Sequence, residues 1–323
     1  MGTRLIVGFE SALSFWRSSR VARLATGGVL LEEARSVYGV GSRTLAERAR
    51  VALGDCGCDG PLDVVLPPGG VRHSCPLIRD HRWNGPPVDE GLFKIDEQIY
   101  VYRMPAVLVQ LACTWDEIDI ATVAMEMLGT YGLSDQLEQG WSVDLAPLVA
   151  YGELTSYIRA AEALGIRGAK RAGEALKLAV PGSNSPRETA LALYLSYPRR
   201  RGGAELRGYV MNKTIELSGE QAQIAGQGRV KPDFLWEGKR VTVEYDSDLS
   251  HLNSLQKTKD ERRRSALESV GYKSLVVTNG IAADEAALSA LTTQLERWLG
   301  YRRKSLSERQ AMLRSTLVRR LFG

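Results

Sequence analysis

The stretch that decides the fold, Val230–His251, reads V-K-P-D-F-L-W-E-G-K-R-V-T-V-E-Y-D-S-D-L-S-H. Its pattern predicts two short strands, Val230–Trp236 and Arg240–Tyr245, joined by a turn at Glu237-Gly238-Lys239. In the second strand Val241 and Val243 alternate with Thr242, Glu244 and Asp246, so a period of two puts the three polar residues on one face. Asp233 lies near the end of the preceding strand, where a twisted hairpin brings it beside Glu244. Carboxylates converging on a sheet edge repel unless something positive sits between them. A hard divalent cation with oxygen ligands, Mg²⁺ or Mn²⁺, fits that need.

Outward from this hairpin the carboxy-terminal half alternates helices and strands. Ser254–Val270 reads as a helix ended by Gly271, with Leu255, Ala266, Leu267 and Val270 on its buried side. Lys257, Lys259, Arg262, Arg263 and Arg264 give that helix a basic face, suited either to solvent or to phosphates. Asp260 has the helical spacing to pair with Arg263 or Arg264. Tyr272–Thr278 reads as a buried strand and Glu285–Leu299 as an amphipathic helix. On the amino-terminal side, Ser185-Pro186-Arg187-Glu188 opens a helix with Ser185 as N-cap, Pro186 at the first position and Glu188 where a capping box places its acid. The sum is an α/β protein whose carboxy-terminal half is an α/β/α sandwich around a mixed sheet.

Pro232-Asp233, eleven residues to Glu244, then Asp246 and His251 resembles the PD-(D/E)xK nuclease superfamily, and more narrowly its Vsr-like DUF559 group. That group carries a helix Glu, a D-F strand, an E-x-D strand end, a His five residues on and a D-x-x-R helix. Here these read Glu188, Asp233-Phe234, Glu244-Tyr245-Asp246, His251, and Asp260 with Arg263. Ser247 stands where the group has Gly, and Asp246 where the wider superfamily has Lys. The resemblance implies a restriction-endonuclease-like fold and a metal site at Asp233, Glu244 and Asp246. It implies a metal-shell role for Glu188, which is compatible with the capping role, and proton transfer by His251.

The chain has 323 residues and a net charge of +4, and the charge is uneven. Residues 184–323 hold 24 Lys/Arg against 16 Asp/Glu, and residues 1–183 hold 18 against 22. A polyanion is therefore expected to meet the second half. No segment approaches the roughly 20 apolar residues of a membrane helix, and Met1-Gly2-Thr3-Arg4 opens no secretory signal, so a cytoplasmic protein without a membrane partner is expected. Four cysteines in such a chain argue against a disulfide framework. Cys56, Cys58, His73 and Cys75 have the residue types of a structural zinc site, although C-x-C spacing is less common than C-x₂-C, and ordinary reduced cysteines are the competing reading.

The first half reads as an α+β region. A short helix is expected at Phe9–Trp16 and another, capped by Ser42, through Val51. Strands are expected at Leu62–Leu66, Pro76–Arg79, Leu92–Ile95 and Gln98–Tyr102, and helices at Pro105–Cys113 and Glu117–Leu128. Glu153–Leu164 and Ile166–Val180 form a helical hairpin broken at Gly165, and Pro181-Gly182-Ser183-Asn184 a linker. The expected domains are thus 1–150, a hairpin and linker at 151–183, the nuclease-like 184–300, and a basic carboxy-terminal helix at 301–323 packed on its own core. The order of elements over roughly residues 5–180, with His81-Arg82 ending a strand, resembles the AbiEi-type antitoxin region of type IV toxin–antitoxin systems. That resemblance implies a protein partner.

The functional expectation is metal-dependent hydrolysis of nucleic-acid phosphodiesters, with DNA placed ahead of RNA, in phage defence, toxin–antitoxin or mobile-element biology. The rival is a non-catalytic nucleic-acid-binding or antitoxin-like regulator on a nuclease scaffold. Fold likeness alone does not separate the two.

Overall fold

The computed structural model describes residues 4–23, 43–53, 60–66, 75–85, 92–133, 137–246 and 254–323, with the side chains of 19–23, 254–258 and 260 outside the description. The chain divides into two compact units, Met1–Lys177 and Leu178–Gly323. Both mix helices with sheets.

The first unit runs β1 (Leu5–Val7), α1 (Phe9–Arg23), α2 (Arg43–Leu53), β2 (Leu62–Leu66), β3 (Ile78–Arg82), β4 (Leu92–Lys94), β5 (Ile99–Tyr102), α3 (Met104–Leu111) and α4 (Glu117–Leu128). A short ribbon, β6 (Gly132–Leu133) with β7 (Trp141–Ser142), and helices α5 (Tyr151–Ala163) and α6 (Ala169–Leu176) complete it. Its sheet has the order β3-β2-β1-β5-β4. β1 lies at the centre, antiparallel to β2 and parallel to β5. A strand of three buried residues shows no alternation, which is why sequence reading passes over β1. β3 begins two residues later than expected because Cys75-Pro76-Leu77 forms a turn, with the Ile78 N–H donating to the Cys75 carbonyl at 3.0 Å. α6 is shorter than the expected Ile166–Val180, because Gly168 turns the chain with φ 96° before the helix begins. A Cβ on Gly168 would sit 2.0 Å from the Val109 carbonyl oxygen, so the α3–α6 approach requires glycine. Ser42 lies outside the described residues.

Charged residues inside this unit are tied. Asp63 on β2 accepts from both the N–H and the hydroxyl of Ser11 at 3.1 Å, closing the first turn of α1. Its other oxygen stands 2.7 Å from His81 Nε2 on β3, and the Phe9 ring stacks on that imidazole at 3.9 Å. Arg17 grips the buried Glu126 with its Nε and a terminal nitrogen.

The second unit runs α7 (Pro186–Ser196), a 3-10 turn at Arg199–Arg201, β8 (Val210–Met211), β9 (Ile215–Glu216), α8 (Gly219–Ala225), β10 (Arg229–Val230), β11 (Phe234–Trp236) and β12 (Val241–Asp246). It continues with α9 (Ser254–Ser269), β13 (Lys273–Thr278), α10 (Asn279–Ala283), α11 (Glu285–Leu299) and α12 (Glu308–Phe322). β8, β11 and β12 pair antiparallel in that order, and β13 joins β12 in parallel after the α9 crossover, giving the order β13-β12-β11-β8.

The expected strand Val230–Trp236 is in fact two. Val230 belongs to β10, which pairs with β9, and only Phe234–Trp236 joins the main sheet. Pro232 has no N–H for a ladder, so the chain leaves one sheet and enters the other around it. The ribbon and α8 rest on α9 through Leu217, Ala225, Val230, Ala266 and Leu267. Thr242, expected on a polar face with Glu244, is fully buried and shares a 2.8 Å hydrogen bond with Ser274 on β13. β12 is a central strand covered on both sides over its first half, and it becomes accessible only from Glu244 onward.

Candidate functional site

Accessibility begins on β12 where acidic side chains gather. The β11–β12 register pairs Phe234 with Val243, so the next step places Asp233 across from Glu244. Residues directly opposite in an antiparallel pair project from the same face. The Tyr245 N–H donates to Asp233 Oδ2 at 2.6 Å, fixing the aspartate against the end of β12.

The third carboxylate comes from α7. Ser185 caps that helix by accepting the Glu188 N–H at 3.1 Å, as its sequence position requires. The Glu188 side chain does not close a reciprocal box on Ser185. Its Oε2 accepts instead from the Asn184 N–H at 2.9 Å and from Asn212 Nδ2 at 2.6 Å, and the residue is only 7% exposed. Asn212 follows β8 with a left-handed φ of 52°, a conformation that asparagine tolerates better than most residues. Its N–H donates to the Asp233 carbonyl at 3.0 Å, and its side-chain amide also reaches the Gly182 carbonyl at 3.0 Å. One residue thus links the α7 carboxylate to the chain beside β11.

Electrostatics follow from this packing. Burial raises the Asp233 carboxyl well above its ordinary range, and the neighbouring charges of Glu188 and Glu244 raise it further. The Tyr245 N–H and the Arg263 charge oppose the rise. Glu188 is raised by burial, against its hydrogen bonds to Asn184, Asn212 and Ser185 and the charge of Lys231. Arg263 reaches over from α9, 3.6 Å from Glu244, and both side chains are about one quarter exposed.

The structure therefore brings together Glu188, Asp233, Glu244 and Arg263. Asp246 ends β12 in an exposed position, in register with Thr278. His251 lies outside the described residues, as do Cys56, Cys58 and His73, while Cys75 is a free, half-buried cysteine. The expected basic face of α9 divides by role. Arg262 donates to the Ile224 and Gln223 carbonyls at the end of α8, and Lys259 and Arg264 are exposed. The Lys257 side chain is outside the description, and so is that of Asp260. Arg263 turns to Glu244 rather than outward.

Sequence reading missed two parts of this arrangement, the Asn212 link and the influence of the Lys231 charge on Glu188. Only the left-handed tolerance of asparagine hinted at the first, and nothing at the second. Among the described residues no group of three His, Cys, Asp or Glu side chains is arranged as a metal site. The donor chemistry nevertheless suits a hard cation: Asp233 and Glu244 offer carboxylate oxygens and the chain at Tyr245 a carbonyl, and Mg²⁺ needs only one or two carboxylates besides water. No family model, curated protein or solved structure matches the chain.

Proposed function

We propose that the second unit is a metal-dependent nuclease of restriction-endonuclease-like fold that hydrolyses phosphodiester bonds, with DNA as its substrate. The observation that carries this reading is the accumulation of carboxylates at Glu188, Asp233 and Glu244, where two of the three are raised by burial and Asp233 also by its neighbours' charge. Arg263 and Lys231 offset only part of the repulsion in such a cluster, and a divalent cation would relieve the rest. The succession α7, β8, β11, β12, α9 and β13, interrupted between β8 and β11 by the separate β9–α8–β10 ribbon, supports the same reading, as does the resemblance of the Asp233…Glu244-x-Asp246 spacing to the PD-(D/E)xK pattern.

In this reading Asp233 and Glu244, together with Asp246, would hold Mg²⁺ or Mn²⁺. Such an ion would neutralise charge at the phosphoryl oxygen and lower the pKa of water. The chain's own residues do the rest. Glu188, held by Asn184 and Asn212, orients water from behind the ligands. The Tyr245 N–H keeps Asp233 aimed. Arg263 balances Glu244, the exposed Lys259 and Arg264 supply charge for phosphates, and His251 is assigned proton transfer. A place in phage defence or toxin–antitoxin biology, with a protein partner for the first unit, belongs to the same proposal.

The test incubates the purified chain with plasmid, single-stranded DNA and RNA in Mg²⁺, Mn²⁺ or EDTA, beside Asp233→Ala. Metal-dependent cutting that the variant lacks supports the proposal. Salt-sensitive binding without cutting, unchanged in the variant, favours a non-catalytic binding scaffold instead.

A further inference from the structure

At the other end of α7 from Glu188, two basic segments are stitched together. They are the turn around Arg199–Arg201 and the approach to α12. Residues 199–207 and 301–309 together carry eight Lys/Arg against two Glu. Three arginines do the stitching. Arg199 donates to the Lys304 carbonyl, Arg303 to the Ala204 and Glu205 carbonyls, and Arg314 to the Gly202 and Gly203 carbonyls at 3.1 and 3.0 Å. Arg314 is only 4% exposed, and its guanidinium also lies over the Tyr194 ring.

Because backbone carbonyls take up these three cations, the two segments hold a fixed face. Arg200, Arg302, Lys304 and Arg309 are exposed on them and form no ion pair among the described residues. Arginine–aromatic pairs flank the face, with Arg201 over Tyr197 at 4.6 Å and Arg303 over Tyr301 at 4.4 Å. One of the two acids, Glu205, is drawn to the Arg199 N–H at 3.2 Å. Like charges gathered on a rigid surface repel at a cost that a polyanion relieves. Arginine outnumbers lysine seven to one in these segments, and its planar fork suits phosphate oxygens.

We infer that this face is a second DNA-backbone contact, separate from the carboxylate cluster, which anchors duplex flanking the scissile position. The inference rests on the nuclease reading for the identity of its ligand. α7 sets the spacing. From Glu188 to the end of α7 at Ser196 the helix advances eight residues, roughly 12 Å at helical rise, and Arg199 follows three extended or turn residues later. The helical part alone corresponds to about three to four base pairs of duplex. A rigid duplex spans both positions as one rod, whereas a flexible single strand loses more freedom in doing so. The expected behaviour is therefore length-dependent binding, with a duplex long enough to reach both sites held more tightly than one reaching only the cluster.

The experiment measures binding of the full chain to a fluorescent duplex of about 24 base pairs, to its single strand and to an RNA of the same length, across a salt series. Binding is read in the Asp233→Ala background, so cutting does not interfere. Arg200→Ala/Arg302→Ala/Lys304→Ala is compared with its parent. The triple variant is expected to bind the duplex roughly ten- to a hundredfold more weakly at low salt, with a slope of log K on log salt reduced by about 3. A charge-restoring set, Arg200→Lys with Arg302→Lys, separates lost charge from lost folding and is expected to recover the slope.

Duplex binding by the parent that the triple variant reproduces at every salt concentration overturns this inference and leaves the nuclease reading standing. A parent that binds no nucleic acid overturns both. A triple variant that keeps duplex affinity but loses binding to anionic phospholipid vesicles shows the face to be a membrane contact, which also overturns the inference.

Discussion

Replacing Asp233 with Asn tests the electrostatic origin of the site without touching its geometry. The asparagine side-chain carbonyl still accepts the Tyr245 N–H, so the 2.6 Å tether to β12 is kept. What disappears is a charge that burial, Glu188 and Glu244 all oppose. Directly opposed residues on antiparallel strands have Cβ atoms about 5 Å apart. Two carboxylates at roughly 5–6 Å repel by about 3 kcal/mol at an effective dielectric near 20. Arg263 offsets part of this, which leaves a net gain of about 1–2 kcal/mol for the variant in metal-free buffer. For a unit of this size that is a rise in Tm of roughly 3–8 °C.

The pH dependence has a definite sign. A carboxyl raised in the folded state binds its proton more tightly there than in the unfolded chain. Its contribution is intact below the unfolded value of about 4 and is lost as pH rises through the folded value. The advantage of the variant should therefore be small near about pH 4 and grow toward about pH 8. Melting of the full chain with EDTA, followed by calorimetry, reads this directly. A variant that melts at or below wild type throughout, or a gap that does not change with pH, refutes the reasoning.

Asn212→Ala removes the amide that holds Glu188 and should cost about 1–2 kcal/mol in denaturant unfolding while abolishing metal-dependent cutting. Asn212→Gly, which suits the left-handed backbone, should recover part of the stability but not the cutting. Asp63→Ala strips the first turn of α1 and the His81 contact at once, and should destabilise the first unit by about 2–4 kcal/mol in a thermal melt, leaving the carboxylate cluster intact. Gly203→Ala would set a Cβ 2.1 Å from the Tyr197 carbonyl oxygen, so hydrogen exchange should show early opening of the 199–205 turn and α12.

The sequence made the centre of the second unit legible because its signals are local. Val241 and Val243 alternate in β12, Ser185-Pro186 opens α7, and Gly271 follows the end of α9. The approach of Asp233 to Glu244 follows from hairpin geometry alone. What stayed hidden depends on long-range placement. Asn212 meets Glu188 across 24 residues, and Val230 leaves the hairpin for a ribbon with Ile215. Arg263 could have faced solvent, Asp260 or the sheet, and periodicity does not choose among them. Nor does it show β1, whose three buried residues gain their pairing from β2 and β5. In the tail, spacing identified a helix, but no local signal shows that Arg314 would be buried on the carbonyls of Gly202 and Gly203.

The proposed nuclease requires Asp233 and Glu244 to hold a divalent cation. Titrating Mn²⁺ into the full chain and following free Mn²⁺ by electron paramagnetic resonance tests it most directly, with Asp233→Ala and Glu244→Gln alongside. Saturable binding in wild type that both variants lose is the expected result. Mn²⁺ uptake that is absent in wild type, or unchanged by either substitution, would contradict the account.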